Sequence, residues 1–259
     1  MKKHLTLAIL VTAAFANLGF ASVLGTESGA SWTSATWTNG AVGSIGTWYQ
    51  VQAPGSAFGI GDSSQGGRTS IGSQAFNVVP GSYTNADLGY ARTFFVLNGG
   101  ALSEGQTLSF DINFLFSNGT KGFTLEKAGG GLGSDLFTVW QDWGDPVVAR
   151  GTLVGTPTTI LANGFQQAFT LNATQLSGAI QISVLNNSSS IFSQTFTTTD
   201  NIGQIQFFAG NIDPTQEGAA ASQSIYANNI TVVPEPSTYA LLALTGALFA
   251  GYRLRQRKS

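Results

Sequence analysis

The feature that most constrains this chain is a hydrophobic period of two. In Phe110-Asp111-Ile112-Asn113-Phe114-Leu115-Phe116, the residues Phe110, Ile112, Phe114 and Phe116 fall on one face of an extended strand, with Asp111 and Asn113 on the other. Asn118-Gly119 follows, a favoured two-residue turn, and then Phe123 and Leu125 alternate in the same way. This pair is expected to form a hairpin. Further alternating runs cover residues 136–141, 165–171, 179–185, 204–209 and 224–232, each bounded by Gly, Asn, Ser or Pro. Between residues 22 and 233 no apolar stripe at i, i+3, i+4, i+7 is sustained over three turns. The expected fold class is all-β, an antiparallel β-sandwich or jelly roll. Residues 22–233 are taken as one extracytoplasmic domain.

Composition excludes several kinds of protein. Hydrophobic residues make up 42% of the 259, enough to build a core, so a disordered chain is ruled out. There is no cysteine, which removes disulfides, zinc-thiolate sites and thiol nucleophiles. The single histidine, His4, lies in the leader described next, so no histidine is left for a catalytic triad. Residues 22–233 carry twelve acidic side chains against five basic ones (Arg68, Arg92, Lys121, Lys127 and Arg150), a net charge of −7. Such a surface lacks the cationic footprint that nucleic acid requires, and no nucleic-acid partner is expected.

Both termini look like targeting segments. Residues 1–21 place Lys2 and Lys3 before an uncharged apolar stretch and end on Gly19-Phe20-Ala21, the layout of a secretory signal peptide. At the other end Pro234-Glu235-Pro236 precedes an uncharged run, residues 238–252, which is followed by a basic tail, residues 253–259. The run spans about 22 Å as a helix, a short but usable transmembrane segment. Arg253, Arg255, Arg257 and Lys258 would hold the tail on the cytoplasmic side. Tripeptide, apolar helix and basic tail, in that order over residues 234–259, resemble the PEP-CTERM sorting signal of Gram-negative bacteria. The resemblance implies recognition by exosortase after passage through the secretion machinery. It further implies a transient stay in the inner membrane, then delivery to the cell surface or to an exopolysaccharide-rich extracellular matrix.

The strand pattern around residues 110–125 also resembles the concanavalin-type lectin and glucanase architecture, without a diagnostic motif. The segment densest in candidate ligand-contacting residues is Trp140-Gln141-Asp142-Trp143-Gly144-Asp145-Pro146. Trp140 and Trp143 can offer flat faces to pyranose rings while Asp142 and Asp145 bond hydroxyls; the same carboxylates can instead ligate calcium. A third reading packs Trp140 inward and leaves the two aspartates to shape the turn. Trp32 and Trp37 are odd-spaced, so one of them is expected in the core. No cofactor and no catalytic residue are expected. The function expected is that of an exported, sorted surface or matrix protein with a structural or adhesive role, and polysaccharide is the candidate ligand. The alternative is a secreted carbohydrate-active hydrolase that uses two of Glu104, Asp111, Glu126, Asp135, Asp142 and Asp145.

Overall fold

The computed structural model describes residues 24–64, 69–81, 89–114, 118–130, 134–143, 146–162, 167–212 and 224–234. The leader, Glu235, Pro236, the expected membrane helix and the basic tail lie outside the described residues. Among the described residues no helix is long and apolar enough to cross a membrane.

The described strands are β1 (Gly25–Glu27), β2 (Gly46–Gln52), β3 (Ala57–Gly61), β4 (Ala75–Val79), β5 (Ala91–Leu97), β6 (Gln106–Phe114), β7 (Thr120–Lys127), β8 (Asp135–Asp142), β9 (Val147–Arg150), β10 (Thr158–Leu161), β11 (Ala168–Leu176), β12 (Ala179–Asn186), β13 (Ser189–Thr197), β14 (Ile202–Gly210) and β15 (Ile225–Pro234). They form two antiparallel sheets. One has the order β13-β12-β11-β6-β15-β4-β3, with β1 also on β15; the other has the order β10-β9-β8-β7-β14-β5-β2. The all-β sandwich expected from the alternation is what the chain adopts.

The hairpin expected across Asn118-Gly119 does not form. β6 lies in the eight-stranded sheet between β11 and β15, and β7 lies in the other sheet between β14 and β8. Alternation identified the inward residues correctly: Phe110, Ile112, Phe114, Phe123 and Leu125 are all fully buried. It carried no information about which strand pairs with which. The turn, with Gly119 at φ +77°, passes the chain from one sheet to the other, so that Phe110 and Phe123 meet edge to face across the core at 4.9 Å.

Aromatic rings hold the two sheets together. Trp48 of β2 packs on Phe76 of β4 at 4.5 Å and on Phe95 of β5 at 4.7 Å. Phe110 meets Phe207 of β14 at 5.2 Å, and Phe137 of β8 meets Phe192 of β13 at 5.4 Å. Burying a tryptophan removes about 200 Å² from water, or about 5 kcal/mol on an area basis as an upper bound. The edge-to-face term adds only about 1 kcal/mol, so burial dominates. The indole N–H groups of Trp37 and Trp48 have no hydrogen-bond acceptor, a cost of about 1–3 kcal/mol each that burial outweighs. Of the odd-spaced pair, Trp37 is the core residue; Trp32 is half-exposed and donates its indole N–H to Glu27 at 3.1 Å.

β15 closes the fold and leads to the C-terminal segment. It pairs with β6, β4 and β1, and Pro234, its last residue, sits opposite Gln106. Buried Asn228 on this strand accepts from the Gly29 amide at 3.0 Å and donates to the Ile71 carbonyl at 2.9 Å, tying two loops to the sheet.

Candidate functional site

Antiparallel register turns the alternation of single strands into rows that cross a sheet. On the outer face of the seven-stranded sheet, one row runs Tyr49, Phe94, Gln206, Thr124, Thr138, Arg150. The next runs Val51, Arg92, Phe208, Gly122, Trp140, Val148. On one side of these lies the row Val96, Gln204, Glu126, Asp135; on the other lies Gly210, Thr120, Asp142. Gly122, between Phe208 and Trp140, leaves no room for a side chain: a Cβ there would strike the Val139 carbonyl and lie 2.9 Å from Phe208 Cζ.

The rows line an open groove of about 260 Å³ formed by Tyr90, Arg92, Thr120, Thr124, Asp135, Trp140, Arg150, Gln206 and Phe208. That volume is below the usual range for an enclosed small-molecule pocket, about 300–1,000 Å³. An open trough of this size suits a ligand laid along it. Two further depressions, one around Leu24 and Val232 and one around Thr152 and Thr197, contain no aromatic and cationic side chains together.

Charge in the groove is arranged around the rings. The Arg150 guanidinium lies 3.6 Å from the centroid of Trp140, and Arg92 lies 5.1 Å from that of Tyr90. Burial pushes the Arg150 pKa below its ordinary value, partly offset by the fields of Asp135, Tyr90 and Asp142. Glu126 is fully buried and accepts from Gln204 Nε2, while its Oε1 has no partner. Burial raises its pKa; the Gln204 hydrogen bond opposes the rise, Asp135 adds to it and Arg92 lowers it.

Trp140 and Asp142, two of the four residues expected to contact a ligand, lie on this face. Arg150 covers one ring face of Trp140, so there the groove presents a guanidinium rather than a bare indole. Asp142 accepts from the Thr120 hydroxyl at 2.6 Å. Trp143 sits at the end of the strand, partly exposed at φ +44°, and does not line the groove. Asp145 lies outside the described residues. Among the described residues no three carboxylates or imidazoles gather as metal ligands. Of the carboxylates considered for hydrolysis, Glu126 and Asp135 are cross-strand neighbours, whereas Asp111 is on the other sheet and holds Thr170 at 2.6 Å and Asn229 at 2.8 Å. The sequence reading missed Tyr90, Arg92, Arg150, Gln206 and Phe208. One signal was present: Tyr90, Arg92 and Phe94 alternate on a single face of the chain.

Residues 232–258 match the model of the PEP-CTERM protein-sorting motif. The chain carries a PEP-CTERM sorting signal. The signal implies export and sorting by exosortase, by way of a membrane-anchored intermediate. The PEP-CTERM match begins within β15, so the sandwich and the signal adjoin without a spacer. No curated protein matches the sequence. Solved structures similar in fold include a sialidase, at 13% identity and a TM-score of 0.51, aligned over 85% of this chain and 19% of that one. The alginate lyase vAL-1 from Chlorella virus aligns with 82% of this chain and 100% of its own, at 11% identity and a TM-score of 0.47. The chain therefore spans about a fifth of the sialidase, and the likeness is one of β-sandwich fold.

Proposed function

We propose that this is a surface or matrix protein that binds polysaccharide in the groove of its seven-stranded sheet and serves a structural or adhesive role after exosortase sorting. The observation that carries the reading is the groove itself: an open trough in which aromatic rings, hydroxyls, an amide and two guanidiniums share one outer face. Sugars need that mixture, apolar faces for C–H surfaces and fixed polar groups for hydroxyls. The test is affinity electrophoresis of the full-length protein in detergent through gels holding neutral or acidic polysaccharides. Trp140→Ala is expected to weaken retention about tenfold, a loss of about 1.4 kcal/mol, while Trp143→Ala leaves it unchanged. Absence of retention on every polysaccharide would sink the binding role and leave the sorting assignment intact.

A second reading, hydrolysis, is supported by the register that sets Glu126 beside Asp135. Release of reducing ends by the wild type, lost in both Glu126→Gln and Asp135→Asn, would establish it.

A further inference from the structure

We propose that the groove takes a carboxylate-bearing polysaccharide laid across the strands, with Arg92 and Arg150 as its two anion anchors. The proposal rests on the saccharide reading above and narrows it to a charged class. Residues 22–233 contain only three arginines, and two of them line this one trough. Each is held against an aromatic ring, which leaves the guanidinium edge and its N–H donors unengaged. Neither arginine donates a hydrogen bond or forms an ion pair with any described residue. A half-buried guanidinium without an acceptor is unfavourable, and a carboxylate that accepts two parallel N–H bonds is the group that completes it.

The neighbouring acids do not fill that role. Asp142 is engaged by Thr120, and Glu126 by Gln204 with burial favouring its neutral form. Asp135, the remaining carboxylate on the groove wall, acts on Arg150 through its field without forming an ion pair with it. Glu126 and Asp135 occupy one flanking row and Asp142 the other, so the two rows between them hold the cations and the rings. Acidic flanks disfavour a densely charged group such as phosphate and tolerate one negative charge per sugar. Arg92 is on β5 and Arg150 on β9, four strand steps apart. At about 4.8 Å per step their backbones are about 19 Å apart, and both residues line the one trough. A chain laid across the strands is the ligand that this placement suits.

The test is calorimetric titration of the full-length protein in detergent with polygalacturonate, with methyl-esterified polygalacturonate (the same backbone without charge) and with dextran sulfate. Polygalacturonate is expected to bind, more weakly as salt is added, and at least about tenfold tighter than its ester. Arg92→Gln and Arg150→Gln should each abolish that preference. Lys127→Gln, the same change of charge outside the groove, should alter nothing. If Arg150→Gln loses its cooperative melting transition, Arg92→Gln decides alone. Equal affinity for polygalacturonate and its ester would overturn the anionic assignment and keep the saccharide reading. Binding of dextran sulfate without polygalacturonate would overturn the carboxylate assignment. Binding of none of the three would overturn the proposal, and retention on neutral gels then decides the saccharide reading separately.

Discussion

Glu126 is the residue at which fold and acidity are most strongly linked. Its folded pKa is raised by burial above the ordinary 4.5, so the native state holds this proton more tightly than the unfolded chain does. Below pH 4.5 both states are protonated and the group contributes no pH dependence; above it, stability falls as the pH climbs through the folded pKa. Glu126→Gln is expected to flatten that part of the profile, so the variant's melting temperature should drop less than the wild type's between pH 4.5 and neutrality. Calorimetry at the two ends checks this, and an unchanged drop would show that Glu126 ionises freely in the fold. Trp48 offers a second test. Trp48→Ala should cost about 3–5 kcal/mol in urea unfolding, as large-to-small changes in a packed core do. Trp48→Phe should cost under about 1.5 kcal/mol, because it keeps most of the apolar contact and removes an indole N–H that has no acceptor.

Strands are where local pattern and global pairing part company. The inward residues of β6, β7, β8, β11, β12, β14 and β15 follow from alternation, because successive side chains of a strand point to opposite faces of its sheet. The partners of those strands do not follow. Asn118-Gly119 suits a hairpin locally, yet the apolar rows of β6 and β7 gain more by facing each other across the core than by lying side by side. The groove was illegible for the same reason: Arg92 and Arg150 are 58 positions apart in sequence, and only the order β5-β14-β7-β8-β9 brings them to one face. Gly122 shows how tightly that order is packed. Gly122→Ala should destabilise by at least about 2 kcal/mol, since its Cβ would press on the Val139 carbonyl and on Phe208. Gly99→Ala, at φ +82° with nothing within 4 Å, should cost only about 1 kcal/mol of backbone strain. Thermal melts of the two variants compare packing with strain, and equal losses would mean that the sheet yields at Gly122.

For the whole molecule, the junction between sandwich and sorting signal is the decisive feature. β15 runs into Pro234 while paired with β6, so the folded domain sits directly against the segment that exosortase is expected to recognise. Full-length protein with Pro234→Ala and Pro236→Ala should stay at full mass in the inner-membrane fraction of its host, while the wild type leaves it. Identical fractionation and mass for both would reduce Pro-Glu-Pro to a strand terminator. The sequence by itself determined that the chain carries an export and sorting signal, because such a signal is read locally by other proteins and its residues are contiguous. It also determined the fold class, because alternation is a property of each strand alone. Only the tertiary structure decided the groove: Tyr90, Arg92, Trp140, Arg150 and Phe208 become neighbours through strand pairing, and that pairing is set by how two apolar faces fit together rather than by any single strand.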